Sequence, residues 1–271
     1  MPELPEVETT RRGLEPSLLG QTLLAVSIRE TRLRWPIDTA SLQSCVGQQI
    51  VLVGRRGKYL LFQFSDQTHL LIHLGMSGSL RLVSSDHDWR KHDHLEWQFA
   101  HLSLRFHDPR RFGCVLHLRS EPHEHALLKH LGPEPLDKDF HSDYLYKISR
   151  GRTASVKAMI MDARHVVGIG NIYAQEALFT AGIQPERPSG SLRRRECDAL
   201  VDALRDQLHA ALAAGGSTLR DFVNGHGEPG YFQLQLNVYG RGGQDCHTCQ
   251  RPLITLRQLG RSTVYCPRCQ R

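Results

Sequence analysis

Four cysteines near the carboxyl end constrain the fold of this chain more than any other sequence feature. The pairs Cys246-x-x-Cys249 and Cys266-x-x-Cys269 are separated by sixteen residues, which is the spacing of a zinc ribbon. Each pair places two thiolates on one side of a tight turn, and two such turns complete a closed tetrahedral site without an open position for catalysis. The spacing therefore predicts one structural Zn²⁺ ion.

The segment between the cysteine pairs is predicted to form a hairpin, with strands at 253–257 and 262–265. The connection at 258–261 carries Gly260 and Arg261. A guanidinium on a rigid hairpin can donate two hydrogen bonds to a phosphate. The local sequence is equally compatible with an ordinary solvent-exposed turn arginine.

Positive charge is concentrated in the same part of the chain. The 271 residues carry a formal net charge of +6, and residues 240–271 contribute +5 of it through six arginines and a single acidic residue, Asp245. A basic segment of this kind favours a polyanionic partner, above all nucleic acid. Solubility alone is the other explanation.

The composition excludes several other classes of protein. An apolar fraction of 40% is typical of a globular chain, and no apolar stretch approaches the roughly eighteen residues that cross a bilayer. The acidic amino terminus has no signal-peptide core, and an odd number of cysteines argues against a disulfide framework. We therefore expect a soluble cytoplasmic protein in which Cys45, Cys114 and Cys197 are buried and unreactive.

The hydrophobic pattern predicts an α+β chain with several domains. Short alternating runs between residues 22 and 119 are typical of a β-sandwich or barrel, and a helix from Pro5 or Glu6 to about Gly13 precedes them. After residue 120 the pattern becomes helical, with a break at Gly132-Pro133. We expect a β-sandwich domain at 1–131, a helical domain at 132–239 and the finger at 240–271.

The individual elements can be assigned from the same pattern. Strands are predicted at 23–29, 50–53, 59–64, 69–73, 80–83, 95–99, 102–106 and 114–118. Helices are predicted at 126–131, 142–149, 154–162, 171–181 and 191–214. A polar, glycine-rich loop at 224–230 is followed by a strand near 232–239.

The amino terminus carries a second candidate for chemistry. Removal of Met1 would leave Pro2 with a secondary amine, and α-amino groups have a pKa of roughly 8. Such an amine can attack an electrophilic sugar carbon to form an iminium, and Glu3 beside it can transfer a proton. Local features alone also fit an ordinary Pro-Glu helix start.

Six motifs occur in register along the chain. They are Pro-Glu-Leu-Pro-Glu at 2–6, Lys-Tyr-Leu-Leu at 58–61, His-Leu-Gly-Met-Ser-Gly at 73–78, Asp-Pro-Arg-Arg-Phe-Gly at 108–113, Gly-Ile-Gly-Asn-Ile-Tyr at 168–173 and the four-cysteine finger. Together they resemble the bacterial formamidopyrimidine-DNA glycosylases, and the resemblance runs from Pro2 to Cys269. It implies an N-terminal β-sandwich, a helix–two-turn–helix domain and a C-terminal zinc finger.

The resemblance also implies the reaction. Such enzymes remove oxidised purines, chiefly 8-oxoguanine and formamidopyrimidines, from duplex DNA and then cut the abasic site by β,δ-elimination. By this resemblance Pro2 is the nucleophile that forms a Schiff base at the deoxyribose C1′, and Glu3 is the acid that helps to open the sugar. Lys58 acts in the β-elimination and Arg261 in the δ-elimination. We expect a monomer.

The resemblance assigns DNA contacts as well. Backbone contacts map to His92, Arg110, Arg152, Lys157 and Asn171. The gap left by the flipped base is filled by Met76, Arg110 and Phe112. An extruded base leaves a hole that suits apolar plugs and a hydrogen-bonding arginine, although Met76 and Phe112 could also be ordinary core residues. The Gly168-x-Gly170 segment before a helix can present backbone N–H groups to a phosphate.

One position and two alternatives qualify this interpretation. Arg152 stands where many relatives have lysine, which keeps the charge but changes the geometry of a phosphate contact. One alternative is an endonuclease VIII-type glycosylase that prefers oxidised pyrimidines; Leu4 and the Arg110-Arg111-Phe112 sequence favour the purine-specific branch. The other is a zinc-ribbon DNA-binding protein without catalysis, in which Pro2, Glu3 and Lys58 would occur by coincidence.

Overall fold

The computed structural model describes residues 1–84, 86–215 and 236–271. It divides into two compact units, one built mainly on Met1–His130 and the other on Leu131–Ala211 together with the carboxyl-terminal segment. Within the described residues, no helix combines the length and apolar character needed to cross a membrane.

The first unit is a β-sandwich, as the sequence predicts. Its two antiparallel sheets have the strand orders β1-β6-β7-β5 and β2-β3-β4-β8. The strands are β1 Ala25–Ile28, β2 Ile50–Arg56, β3 Tyr59–Phe64, β4 His69–His73, β5 Ser79–Val83, β6 Asp93–Gln98, β7 Ser103–His107 and β8 Cys114–Leu118. Three of them have the predicted bounds, and the ends of the other five differ from prediction by at most three residues.

Alternation along the strands explains the sandwich core. On β3, Leu60, Phe62 and Phe64 are buried while the residues between them are only half-buried, as expected for a strand with one face toward a core. They belong to one apolar cluster with residues of both sheets and of helix α1, Leu4–Leu18. A short helix, α2 Thr39–Gln43, lies between β1 and β2 along the chain.

Helix α1 is longer than predicted. It was expected to end near Gly13, but it continues to Leu18. Leu14 and Leu18 are fully buried and continue the apolar stripe that begins at Val7, at helical spacing. Packing of that stripe outweighs the costs of Gly13 and Pro16 inside the helix, about 1 and about 3 kcal/mol respectively.

The second unit is helical apart from its finger. The prediction of α3 Ser142–Ser149 is confirmed, and α4 Val156–Met161, α5 Asn171–Thr180 and α6 Arg194–Ala213 lie within their predicted ranges. The helix predicted at 126–131, in the first unit, was wrong: these residues form turns after a 3₁₀ segment at Pro122–Glu124. Six residues before Gly132-Pro133 are too few to repay helix nucleation.

The carboxyl-terminal segment contains the predicted hairpin. Strands β9 Ile254–Gln258 and β10 Arg261–Tyr265 pair antiparallel. The connection is shorter than predicted, because only Leu259 and Gly260 separate the strands. Both have positive φ, +53° and +71°, as a type I′ hairpin turn requires. The predicted loop at 224–230 and residues 232–235 of the predicted strand lie outside the described residues, and 236–239 form no strand.

Candidate active site and metal centre

The amino-terminal residues lie in a buried position at the start of α1. Pro2 and Glu3 are both buried, and Glu3 is the N-cap of the helix. Glu6 accepts a hydrogen bond from the Glu3 backbone N–H at 2.8 Å through Oε2. This contact satisfies one of the helix donors that would otherwise lack a partner. The backbone that carries Pro2 and Glu3 is thereby held in a defined conformation.

A carboxylate on α1 connects the helix to the turn that carries Lys58. Glu8 Oε2 accepts from Arg55 Nε at 3.0 Å, and the same guanidinium donates to the carbonyl of Gly57 at 2.8 Å. Burial disfavours ionisation of Glu8, but hydrogen bonds from Arg11, Arg12 and Arg55 outweigh it and lower the carboxyl pKa to about 2. The ionised carboxylate thus links the Pro2 and Lys58 segments.

His73, at the end of β4, belongs to the same neighbourhood. Burial, with the positive charges of Lys58 and Arg34, lowers the pKa of His73 from 6.5 to about 4. Its Nδ1 accepts the Gly75 backbone N–H at 2.9 Å, which requires that this nitrogen carry no proton. A neutral His73 therefore holds the start of the 75–78 turn.

Met76, Arg110 and Phe112 lie on two loops of the first unit. Met76 is 39% exposed and Phe112 is 46% exposed, so neither is an ordinary core residue. The Arg110 guanidinium lies over the Phe112 ring, 4.9 Å from its centroid. Two exposed apolar side chains and an arginine are what the gap-filling hypothesis needs.

His92 lies just before β6 in a strained backbone conformation. Its φ is +72°, which is uncommon for a residue other than glycine. Its ring makes edge-on contacts with the rings of His94 and His107. Partial desolvation and positive neighbours, Lys91 foremost, lower the pKa of His92.

In the second unit, Lys157 and Asn171 are in direct contact. The Lys157 side chain is fully buried, and its Nζ donates to Asn171 Oδ1 at 2.6 Å and to Thr263 Oγ1 at 2.5 Å. Asn171 is the first residue of α5 and donates through Nδ2 to the carbonyl of Ser262. The lysine therefore joins α4 and α5 to strand β10.

Arg152 and Arg261 are the exposed arginines of the predicted site in this unit. Arg261 is the first residue of β10, directly after the two-residue turn. Arg152 lies between α3 and α4, and its Nε donates to the carbonyl of Ile148. Both guanidinium groups lie at the protein surface.

The four cysteines form a site of the size that zinc requires. Their Sγ atoms all lie within 4.8 Å of one another, with 3.9 Å between Cys246 and Cys269 and 3.4 Å between Cys249 and Cys266. Four thiolates bound at 2.3 Å around one zinc ion lie about 3.8 Å apart. In the described part of the chain, no other group of three or more His, Cys, Asp or Glu side chains is arranged to hold a metal.

Two adjacent side chains of α5 hold the finger, and sequence reasoning missed both. Gln175 Oε1 accepts the Val264 backbone N–H at 2.6 Å. Glu176 is buried and accepts the backbone N–H groups of residues 237–239 at 2.8–2.9 Å. The only sequence signal that could have identified Gln175 and Glu176 is that they are polar residues on an otherwise apolar helix, where a buried polar side chain needs a partner.

Three family models match the chain in succession. The formamidopyrimidine-DNA glycosylase N-terminal domain matches residues 1–115, the formamidopyrimidine-DNA glycosylase H2TH domain matches 131–223, and the zinc finger found in FPG and IleRS matches 243–271. A curated relative, the formamidopyrimidine-DNA glycosylase of Teredinibacter turnerae, is 54% identical over the full length of both chains. The chain belongs to the formamidopyrimidine-DNA glycosylase family.

Solved structures of similar glycosylases agree with this assignment. Lactococcus lactis FPG (MutM) with Fapy-dG containing DNA is 34% identical, with a TM-score of 0.91 over 99% of this chain and 100% of that one. The Lactococcus lactis Fpg complex with abasic-site DNA is 35% identical, with a TM-score of 0.92 over 99% of both chains. A MutM complex with carbocyclic 8-oxo-G containing DNA is 34% identical, with a TM-score of 0.91 over the full length of both chains.

Family membership confirms the enzyme class, the architecture and the metal. This glycosylase is a base-excision repair enzyme with abasic-site lyase activity, and its finger binds one structural Zn²⁺ through the four cysteines. A zinc-ribbon protein without catalysis is thereby excluded. The predicted site residues fall into both units. The first unit contains Pro2, Glu3, Lys58, Met76, His92, Arg110 and Phe112. The second contains Arg152, Lys157, Asn171, Arg261 and the four cysteines.

The depressed pKa of His73 predicts a pH-dependent stability of the glycosylase. An unfolded histidine titrates near 6.5 and the folded one near 4, so between these values the unfolded state binds more protons and stability falls with falling pH. Between pH 7 and pH 5 the loss attributable to His73 is about 2 kcal/mol. Urea unfolding at both pH values, followed by tryptophan fluorescence, measures it because all three tryptophans lie in the first unit.

His73→Asn should remove most of this pH dependence, since an amide oxygen can still accept the Gly75 N–H without titrating. His101→Asn is the matched control, because His101 is an exposed loop histidine of the same unit, and it should keep the wild-type dependence. An unchanged slope in His73→Asn would contradict the assignment.

The second prediction concerns removal of the metal. Cys249→Ser should lose the zinc and weaken DNA binding together, because the finger has only a small buried cluster, which consists of Cys246, Leu253, Val264 and Cys266 with Val238 just before it. Metal analysis and a DNA-binding titration measure both effects. Cys197→Ala, at a buried cysteine of α6, should retain one zinc per chain. Stoichiometric zinc in Cys249→Ser would refute the ligand set.

Proposed function

We propose that this glycosylase removes formamidopyrimidine and 8-oxoguanine lesions from duplex DNA through a Schiff base at Pro2 and then cleaves the abasic site by β,δ-elimination. The observation that carries the proposal is the Glu8–Arg55–Gly57 connection between the start of α1 and the turn of Lys58. It ties a candidate nucleophile and a candidate proton-transfer group to one framework within the first unit.

The chemistry starts at the Pro2 nitrogen, which must be released from Met1 to act as an amine. Its lone pair attacks C1′, and the damaged base leaves with the electrons of the glycosidic bond and takes up the proton that the Pro2 nitrogen loses. Glu3 donates a proton to the sugar ring oxygen, so that the ring opens and the C1′–N bond becomes an iminium.

The iminium then makes strand cleavage possible. It acidifies the C2′–H bond, and loss of that proton expels the 3′-phosphate in the β-elimination, to which we assign Lys58. Loss of a C4′ proton expels the 5′-phosphate in the δ-elimination, to which we assign Arg261. The exposed guanidinium of Arg261 can stabilise a departing phosphate with two hydrogen bonds.

Recognition is assigned to the remaining residues. Met76, Arg110 and Phe112 occupy the space of the extruded nucleotide, and Arg110 donates to the unpaired base opposite. His92, Arg152 and Asn171 contact backbone phosphates, as does the N-terminus of α5. Because Lys157 is buried, we assign it a positioning part in this contact: its Nζ donates to Asn171 Oδ1 and so orients the Asn171 side chain.

The organisation of the chain is also part of the proposal. We assign residues 1–131 to the β-sandwich domain, 132–239 to the helix–two-turn–helix domain and 240–271 to the finger. We further propose that the enzyme acts as a monomer, in the cytoplasm of a bacterial cell and on the nucleoid.

Covalent catalysis by Pro2 is tested by borohydride reduction with duplex DNA containing 8-oxoguanine opposite cytosine. The reduced adduct should map to Pro2 by peptide sequencing, and Pro2→Gly should lower its yield by about two orders of magnitude because the secondary amine is lost. Pro16→Ala, at an exposed proline of the same helix, should trap normally. An adduct on Lys58 would overturn the assignment of the nucleophile.

Recognition is tested separately from chemistry. Arg110→Ala should reduce discrimination for the base opposite the lesion by about tenfold, the effect of one lost base contact. Phe112→Ala should slow excision whatever the opposite base, since it removes stacking only. Single-turnover excision opposite C, A, G and T measures both, beside cleavage of a preformed abasic site, which should change by less than about threefold. Equal losses of rate on all substrates in both variants would show that Arg110 and Phe112 stabilise the fold rather than recognise the lesion.

A further inference from the structure

We propose that Asp108 and Ser77 are positioning residues that join the two loops carrying Met76, Arg110 and Phe112 into one rigid unit. The three side chains then enter the duplex together, and discrimination of the opposite base depends on the connection between the loops. This inference rests on the proposed function of those three side chains, and it adds two residues to which neither a catalytic nor a DNA-contacting part is assigned above.

The first observation is a buried carboxyl group with donors from both loops. Asp108 is 0% exposed. Its Oδ1 accepts from Ser77 Oγ at 2.8 Å and from the Arg110 backbone N–H at 3.3 Å, and its Oδ2 accepts from the Gly113 backbone N–H at 2.8 Å. Ser77 Oγ also accepts from the Arg110 N–H, at 3.3 Å. The Ser77 hydroxyl therefore connects the loop of Met76 to the backbone of Arg110.

The second observation is the close approach of the two loop backbones. Gly75 has a φ of +65°, and a Cβ on it would lie 2.4 Å from the Gly113 nitrogen and 2.5 Å from the Phe112 carbonyl carbon. These are backbone atoms that cannot rotate away. The loops are therefore in direct contact at the residue before Met76 and at the residue after Phe112.

The third observation concerns the backbone of Asp108. Its N–H donates to the carbonyl of His92 at 3.0 Å, and its own carbonyl lies 2.8 Å from His94 Nε2. The backbone of Asp108 is therefore held by His94 of strand β6 and by His92 just before it, while its side chain holds the two loops. The loop positions are fixed relative to the sandwich and relative to each other.

The physical consequence is preorganisation. Separate loops would each lose conformational freedom on entering the duplex, whereas a rigid unit has already lost it during folding. Buried hydrogen bonds to a carboxyl group are among the stronger ones. Loss of the Ser77 hydroxyl removes the side-chain connection but leaves the Gly113 and Arg110 donors to Asp108, so the loops should loosen without unfolding.

Ser77→Ala tests the proposal because Ser77 is only half-buried and the substitution removes a single oxygen. It should lower the ratio of 8-oxoguanine excision opposite C to excision opposite A by about threefold to tenfold, the effect of one net hydrogen bond. Cleavage of a preformed abasic site should stay within about twofold. Ser77→Thr, which keeps the hydroxyl, should restore discrimination, and Ser65→Ala, which removes a loop-bridging hydroxyl elsewhere in the unit, should have no effect.

A double-mutant cycle with Arg110→Ala separates this inference from the proposed function. If Ser77 acts through Arg110, the double variant should discriminate no worse than Arg110→Ala alone. Additive losses in the double variant would show that Ser77 does not act through Arg110. Wild-type discrimination in Ser77→Ala, together with lost discrimination in Arg110→Ala, would show the same. Either outcome would overturn the proposed role of Ser77 but leave the function of Arg110 intact. Wild-type discrimination in Arg110→Ala itself would instead refute the proposed recognition mechanism.

Discussion

The ionised carboxylate of Glu8 is the contact on which the placement of α1 relative to the Lys58 turn depends. Glu8 binds three guanidinium groups at once, and one of them, Arg55, also holds the turn before Lys58. A helix and a hairpin that pack through apolar side chains alone could slide by fractions of an ångström. Directional, charge-assisted hydrogen bonds limit that sliding, and the elimination chemistry that we propose for Lys58 needs its groups held in place.

The second unit uses the same device with different residues. The buried amino group of Lys157 connects α4 and α5 to β10, while Gln175 and Glu176 bind backbone N–H groups of the finger segment. Zinc closes the finger upon itself, but the finger has only a small core. Polar contacts from α5 therefore determine where the Arg261 hairpin lies within this unit. The phosphate contact that we propose for Arg261 requires that its supporting strand be held in place.

Sequence patterns predicted the elements well where local and tertiary preferences agree. The alternation on β3 and the turn signals around it placed that strand correctly, and the cysteine spacing identified the metal site. The pattern was wrong at Gly13, where packing of Leu14 and Leu18 extends α1, and at 126–131, where a single helical turn has no support. At α1 the deciding interaction involves residues far apart in the sequence, whereas at 126–131 it is the local cost of helix nucleation.

What the sequence by itself determined is the set of candidate groups: Pro2 and Glu3 at the amino terminus, four cysteines for zinc, the arginines for which we propose phosphate contacts, and the order of the motifs that identifies the family. Those follow from residue type and spacing. Only the tertiary structure showed which groups hold them: Glu8 with Arg55, His73 with Gly75, Asp108 with Ser77, and Lys157 with Asn171. The reason is physical. A buried polar group must find a partner, but any of several donors satisfies its chemistry, and the packing of distant strands and helices decides which one comes within hydrogen-bonding distance.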